Sequence, residues 1–297
     1  MVNRKTLPAF LASVALISCV ASSQRVGSAE GEGVAARPAQ ENSVIDRELG
    51  VTFSLPIAGY SFTESEVALL RNAENLTTEK CMARYGIEYS VGSAVSDQDP
   101  PADRRYGISS FGEAKKYGYH MPPTPSFEEE SVSGEVRALL YGTAASGKFR
   151  GRDVPVNGCA GEGVEKLRVK EQSQRGAQAA GRIAKESFVE SMESVPVREA
   201  MRVWSICMRN EGYRYASPLE AMADQRFLGD EVSAVEKRTA RADLECKDES
   251  RLPEVWFVSE SEVQQRMIEE NSELLDELQE SHDLRLRLAR KVLSSPS

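Results

Sequence analysis

The sequence contains very few histidines, and this limits the metal and proton chemistry that it can support. His120 and His282 are the only two, they lie far apart in the chain, and neither has a Cys, Asp or Glu partner at the spacing of zinc ligands. The chain also lacks a G-x-S-x-G nucleophile motif, a Walker A loop and a dinucleotide-binding glycine pattern. We therefore expect no metal site, no cofactor and no enzymatic activity.

The chain starts with an apolar run that is too short to cross a membrane. This run extends from Leu7 to Ile17, whereas a membrane-spanning helix needs about 20 apolar residues. Arg4 and Lys5 precede it, and a short apolar run behind basic residues is typical of a secretory signal. We predict that residues 1–18 are a signal peptide that is removed on export.

The end of this signal carries a lipidation motif. Leu16, Ile17, Ser18 and Cys19 follow the order Leu, apolar, small, Cys, which resembles the lipobox of bacterial lipoproteins. The resemblance implies that Cys19 is diacylated and becomes the first residue of the mature chain. Two or three acyl chains hold a protein firmly on a membrane, because one chain is only a marginal anchor. The alternative is an ordinary signal that is cut after Ala21 or Ser22 and discards Cys19.

The mature chain is acidic, which limits its partners. Removing residues 1–18 takes away two of the 37 basic residues and none of the 46 acidic ones, so the formal charge changes from −9 to −11. An acidic protein is a poor ligand for nucleic acid and for anionic lipid headgroups. We expect contact with the membrane through the lipid anchor, an envelope protein or glycan as partner, and no nucleic acid.

The four remaining cysteines, Cys81, Cys159, Cys207 and Cys246, are an even number in an exported chain. In an oxidising compartment this predicts two disulfides, with free thiols or a metal site as the alternative. We favour Cys81 with Cys159 and Cys207 with Cys246, because the last two lie on candidate helices joined by a connection short enough for antiparallel neighbours. The crossed pairing, Cys81 with Cys207 and Cys159 with Cys246, stays open.

Two of these cysteines begin a repeated motif. Both copies, residues 81–89 and 207–215, read Cys-Met, three residues, Gly, a bulky apolar residue, a charged residue and Tyr. A glycine just beyond a helix can adopt the left-handed conformation that ends it, so each copy predicts a helix end followed by an extended segment.

The sequence predicts two parts after the signal peptide. Residues 19–45 are expected to be an acylated, flexible tether. Residues 46–297 are expected to form a disulfide-stapled helical domain with one copy of the Cys-Met motif in each half, about 46–195 and 196–297.

Capping residues and apolar periodicity predict a mainly α fold. The predicted helices are residues 63–86, 126–142, 164–194, 196–212, 230–246 and 253–292, and Gly176 and Gly181 are points where the third should bend or break. Residues 51–55 predict a short strand. The expected fold is an irregular helical bundle with a minor β contribution, two disulfides and a long C-terminal helix. That helix should pack along its own domain, and self-association through it is the alternative.

Tyrosines are the one feature of the sequence that suggests a binding surface. Tyr89, Tyr106, Tyr119 and Tyr215 are the candidates, because a tyrosine offers both a stacking face and a hydroxyl. The alternative is that they pack around the two Cys-Met turns.

Several features together resemble a known group of proteins. They are the lipobox, the stretch from Trp204 to Pro218, the stretch from Ala242 to Lys247, and a final helix that carries Trp256. The combination resembles uncharacterised secreted lipoproteins of high-GC Gram-positive (actinobacterial) bacteria, which implies location and architecture but no activity. We expect a lipid-anchored envelope protein on the outer face of the cell membrane, acting as a non-catalytic binding or interaction module. The alternative is a cell-envelope hydrolase that uses carboxylate and tyrosine side chains.

Overall fold

Helices make up most of the structure, as the sequence predicts. A computed structural model describes residues 44–48, 50–90, 102–123, 132–144, 147–169 and 172–295. The α-helices in these ranges are α1 Glu64–Arg84, α2 Phe111–Tyr117, α3 Gly134–Tyr141, α4 Gly158–Lys166, α5 Gln172–Met192, α6 Val195–Asn210, α7 Pro218–Met222, α8 Ala234–Ser250, α9 Leu252–Glu270 and α10 Ser272–Ser294. The predicted fold class, a mainly helical bundle with a minor β contribution, is confirmed.

Within the described residues, the β contribution consists of two short antiparallel hairpins. Strand β1 (Val44–Asp46) pairs with β2 (Gly50–Thr52), and β3 (Lys148–Phe149) pairs with β4 (Arg152–Asp153). The strand predicted at 51–55 is therefore only partly right, because β2 ends at Thr52. A short 3₁₀-helix, Pro56–Tyr60, follows instead and leads the chain into α1.

Helix α1 begins at the predicted capping box. The Thr63 hydroxyl accepts a hydrogen bond from the Glu66 N–H, and the Glu66 carboxylate accepts one from the Thr63 N–H at 2.9 Å. Two of the unpaired donors at the helix start are thereby satisfied. The helix predicted from Ser126 has its first residues outside the described part of the chain. Where the chain is described again, Ser133 caps α3, so the predicted helix is wrong at residues 132–133, and α3 ends at left-handed Gly142 as predicted. The start predicted at Asp230 is wrong, because Ser233 caps α8.

The two copies of the Cys-Met motif form the same helix end. Gly86 and Gly212 both have positive φ angles, 70° and 89°. In each copy the residue after the glycine donates its N–H to the carbonyl of the motif methionine, Ile87 to Met82 at 3.2 Å and Tyr213 to Met208 at 2.8 Å. This six-to-one hydrogen bond is the Schellman arrangement that closes a helix C-terminus. The Cys-Met motif is therefore a helix C-terminal motif that occurs twice in the chain.

The predicted helix 164–194 is two helices, and the break is not at its glycines. Helix α4 ends at Lys166 and α5 begins at Gln172, after which α5 runs through both Gly176 and Gly181. Gly176 is a packing residue, because a Cβ there would overlap the carbonyl oxygen of Leu274 at the start of α10. The prediction that these glycines bend or break the helix is wrong.

The C-terminal run 253–292 is also interrupted. Asn271 ends α9, and its side-chain amide donates to the Met267 carbonyl at 2.8 Å, which is a local bond that competes with helix continuation. Helix α10 packs against α1 and α5, and its apolar side chains Leu275, Leu278, Leu286 and Ala289 are buried there. The long C-terminal helix thus packs along its own domain, and this apolar side is already covered.

Both disulfides have the pairing that the sequence favoured. Cys81 on α1 bonds Cys159 on α4 with a Cα separation of 5.5 Å, and Cys207 on α6 bonds Cys246 on α8 with a Cα separation of 5.6 Å. The crossed pairing is excluded. The first disulfide lies in a small core with Met82, and the second borders a larger core around the two tryptophans.

The two halves of the chain are interleaved around these cores. Helix α1 from the first half packs on α10 from the second, and α5 packs on both α9 and α10. All the described residues belong to one compact unit.

Candidate functional site

An open groove lies between the 3₁₀-helix Pro56–Tyr60, α5 and α10. Its volume is about 390 Å³, which lies within the usual range of ligand pockets, about 300 to 1,000 Å³. The lining residues are mostly apolar or small; they are Ile57, Tyr60, Ser61, Phe62, Ala177, Ala180, Gly181, Ala184, Leu278 and His282. We call this cavity the apolar groove and take it as the candidate site.

Helix α5 forms the floor of the apolar groove with small side chains. Ala177, Ala180, Gly181 and Ala184 recur at helical spacing and therefore share one face. At Gly181 an added Cβ would meet no heavy atom within 4 Å, in contrast to Gly176, which contacts α10. The two glycines of this helix thus have different surroundings. Gly176 allows close packing against α10, whereas Gly181 faces open space.

Alanine substitutions at these two glycines are expected to have opposite effects on stability. Gly181→Ala should raise the free energy of unfolding by about 0.5–1 kcal/mol, because glycine inside a helix costs that much relative to alanine. Gly176→Ala should lower it by about 1–3 kcal/mol, because the new methyl overlaps the Leu274 carbonyl. Urea unfolding followed by circular dichroism measures both changes, and effects of the same sign would contradict the assignment.

One end of the apolar groove is aromatic and carries a positive charge nearby. The rings of Phe62 and His282 stack with centroids 3.9 Å apart, and the Arg285 guanidinium lies 5.3 Å from the Phe62 centroid. Burial, and secondarily the charge of Arg285, lower the pKa of His282, whereas Glu66 and Asp283 act in the opposite direction. The imidazole is therefore neutral at neutral pH and available for hydrogen bonding.

An ion pair between partly exposed Arg105 and fully buried Glu260 lies next to the groove. The Glu260 carboxylate on α9 is fully buried and accepts hydrogen bonds from Arg105, from the Tyr106 hydroxyl at 2.8 Å and from the Ser187 hydroxyl at 2.8 Å. Gln264 also donates to Glu260 at 3.2 Å. We call this set the Glu260 network.

The Glu260 network contacts two groove residues through their backbones. The Gln264 side-chain oxygen accepts the Ile57 N–H at 3.0 Å, and Arg105 donates to the Ala184 carbonyl at 2.6 Å. Buried polar groups that are fully hydrogen-bonded hold their surroundings in one arrangement. The network therefore fixes the 3₁₀-helix against α5, which sets the width of the groove.

The tyrosine candidates do not form an exposed surface. Tyr106, Tyr119 and Tyr215 are buried in the larger core, and Tyr89 is half-buried beside the disulfide of Cys81. Burial raises the pKa of Tyr106, and burial together with the hydrogen bond to Asp224 raises that of Tyr215 to about 12. The alternative, in which these side chains pack around the Cys-Met turns, fits this placement. None of the four lines the apolar groove.

His120 joins two distant segments through both of its ring nitrogens. Nδ1 lies 2.8 Å from the buried Glu236 carboxylate, and Nε2 lies 2.6 Å from the Gly229 carbonyl. Both partners accept hydrogen bonds, so both contacts are satisfied at once only when the imidazole carries two protons. The Gly229 carbonyl and Glu236, with a smaller effect of Asp230, raise the pKa of His120.

The contribution of His120 to stability should therefore be lost as the pH rises through its raised pKa. A histidine whose pKa is raised on folding stabilises the fold fully below the unfolded pKa of about 6.5, and the contribution is lost as the pH rises through the folded value. We expect the difference in unfolding free energy between the wild type and His120→Gln to be largest near pH 5.5 and to shrink by pH 8.5. Urea unfolding at several pH values measures it, and a difference independent of pH would contradict the imidazolium.

The described cavities do not supply a pair of catalytic carboxylates. The apolar groove has no Asp or Glu among its lining residues, and Asp103 is the only one in the second cavity, about 10 Å³ in volume. Among the described residues, no cluster of three or more His, Cys, Asp or Glu side chains could hold a metal ion. Within the same part of the chain, none of the helices has the length and apolar character to span a bilayer.

Comparison with known proteins assigns the chain to no family. No protein-family model matches the chain, and no curated protein and no solved structure is significantly similar to it. Cys19 lies outside the described residues.

Proposed function

We propose that this protein is a lipid-anchored component of the bacterial cell envelope, located at the outer face of the cell membrane. The observation that carries the proposal is that the four cysteines other than Cys19 are all paired in two disulfides. Disulfides persist in oxidising compartments and are rare in the cytosol. The signal pattern of residues 1–18, the lipobox at Cys19 and the resemblance to actinobacterial lipoproteins support the same location.

The anchor in this proposal is the acyl group alone. A mature charge of −11 opposes adsorption to anionic headgroups, so electrostatic attraction does not replace the lipid. The predicted tether is then shorter than residues 19–45, because Val44 and Ile45 belong to β1. A tether from residue 20 to about residue 42 lets the helical domain stand some 25 to 30 Å from the membrane. From that position the domain reaches envelope proteins, glycans or small molecules near the bilayer.

The domain is proposed to bind rather than to catalyse. The apolar groove supports this role, because it is large enough for a small ligand and is lined by apolar side chains and a neutral imidazole. Asp103 and Tyr106 both line the second described cavity, but its volume of about 10 Å³ is too small for a substrate. Neither described cavity combines two carboxylates, so a glycosidase that works through such a pair finds no support in them.

Metabolic labelling tests the proposed anchor. Cells that express the full chain are grown with an alkyne analogue of palmitate, and the wild type is compared with Cys19→Ala. We expect label and membrane association for the wild type, and neither for Cys19→Ala. An unlabelled wild type that begins after Ala21 or Ser22 would instead establish the ordinary secretory signal and reject the anchor.

A further inference from the structure

We propose that the apolar groove binds a free medium-chain fatty acid, with the hydrocarbon chain along the floor of α5 and the carboxylate at Arg285 and His282. This inference rests on the proposed binding role but not on the lipid anchor. It commits the groove to one ligand class, an anionic molecule with a single flexible apolar chain.

The shape of the groove favours a chain. Its floor runs along α5 from Ala177 to Ala184, and the seven steps between these residues extend about 10 Å at 1.5 Å per residue. Ile57 and Leu278 add apolar side chains to the lining. A hydrocarbon chain that lies along this floor contacts apolar or small residues over that distance, and burying it is favourable in proportion to the area covered.

The Arg285 side chain at one end of the groove favours a carboxylate. Arg285 lies over the ring of Phe62, which itself lines the groove and stacks on His282. The ion pair of Arg285 with Glu74 is long, 3.9 Å, and a guanidinium has five N–H donors. Glu66 and Asp283 also lie near His282, and Glu74 lies near Arg285, so this end has no net positive charge. A carboxylate would therefore be held by direct hydrogen bonds from the Arg285 guanidinium.

Gly181 gives a reason of its own to expect a ligand. A glycine in the middle of a 21-residue helix costs stability, and at Gly176 that cost is explained by the contact with Leu274. At Gly181 an added Cβ would meet nothing within 4 Å, so packing within the protein does not explain the residue. An absent side chain at this point deepens the floor where a bound chain would lie.

Calorimetric titration of decanoate tests the inference. The full chain with Cys19→Ser is used, so that neither an acyl anchor nor detergent competes for the groove. We expect one decanoate per chain, with binding abolished by Gly181→Leu because the new side chain fills the floor. Gln178→Leu is the matched control, since it adds the same side chain at an exposed position of α5 outside the groove, and it should leave binding unchanged.

The carboxylate contact is tested separately with decanol. Arg285→Gln should weaken the binding of decanoate by about tenfold and leave the binding of decanol unchanged, as expected for the loss of a hydrogen bond to a charged group. In proton NMR titrations, decanoate but not decanol should raise the pKa of His282, whose surrounding charges are Arg285, Glu66 and Asp283. Equal effects of Arg285→Gln on the two probes would overturn the assignment of the carboxylate.

Two other outcomes would overturn the inference as a whole. One is that decanoate fails to bind the Cys19→Ser protein, or that it still binds a Gly181→Leu variant that keeps its disulfides and its circular dichroism spectrum. The other is that the groove seats a second copy of the chain, in which case sedimentation would show a dimer that Gly181→Leu converts to a monomer. Acylation of Cys19 is measured independently, so loss of the fatty-acid site leaves the proposed location standing, and loss of the anchor leaves this site standing.

Discussion

Replacing Cys81 and Cys159 together by alanine is expected to lower the free energy of unfolding by about 4 kcal/mol. The bond connects residues 78 apart, and closing a loop of that length restricts the unfolded chain strongly. The core around it is small, consisting of Met82, Leu139, Leu140 and Phe149 beside the two cysteines. A core of this size cannot compensate for the lost cross-link, so the local structure should open as well.

Urea unfolding of the double variant measures the loss, and limited proteolysis of residues 132–169 reports the local opening. The matched control is Cys207→Ala with Cys246→Ala, which removes a bond between residues 39 apart next to the larger core. We expect a similar loss of stability there, without new cleavage in residues 132–169. A loss below about 1 kcal/mol for Cys81 and Cys159 would contradict a role of this bond in stability.

Glu260→Ala is expected to lower the free energy of unfolding by about 3–5 kcal/mol, which is similar to the effect of removing the Cys81–Cys159 disulfide. The substitution leaves the Arg105 guanidinium beside a buried site without its carboxylate, and it also removes the acceptor of Tyr106 and Ser187. Breaking one partner of a buried pair costs more than the pair itself contributes, because the remaining charge is not compensated. The Ile57 contact through Gln264 should loosen too, so the groove should change with the core.

Two variants separate the charge from the shape of this side chain. Glu260→Gln keeps the volume and one acceptor oxygen, and its loss should be smaller than that of Glu260→Ala. Glu262→Ala removes an exposed carboxylate on the same helix and should change stability by less than about 0.5 kcal/mol. Urea unfolding measures the stability of Glu260→Ala, Glu260→Gln and Glu262→Ala. Equal losses of unfolding free energy for Glu260→Ala and Glu262→Ala would contradict the buried network.

Local chemistry made several elements of this fold predictable. The capping box at Thr63 and the glycines at 86, 142 and 212 mark helix ends through hydrogen bonds made within a few residues, so one sequence is enough to find them. These helix ends depend on short sequence separations, which is why their prediction was correct. The disulfides join residues 78 and 39 apart, and their pairing was predictable for another reason. Cys207 and Cys246 lie on helices with a short connection, and with four cysteines this pair leaves Cys81 for Cys159.

Features that depend on distant contacts were not predictable. Gly176 looks like a helix breaker until Leu274, almost one hundred residues later, is seen against it. The Glu260 network joins residues up to 155 apart, and a glutamate in a charged helix gives no sign that it is buried. The tyrosines looked like a surface because burial is not visible in composition. The one available sign of the groove was the small-residue spacing on α5, which also fits ordinary helix packing.

The proposed location of this protein requires both export and lipidation, and an intact mass measurement tests both. The protein is isolated from its own cells, alkylated without prior reduction and weighed. We predict a chain that begins at diacylated Cys19 and takes up no alkylating reagent at Cys81, Cys159, Cys207 or Cys246. An unacylated chain that retains residues 1–18 and is alkylated at all four cysteines would contradict it.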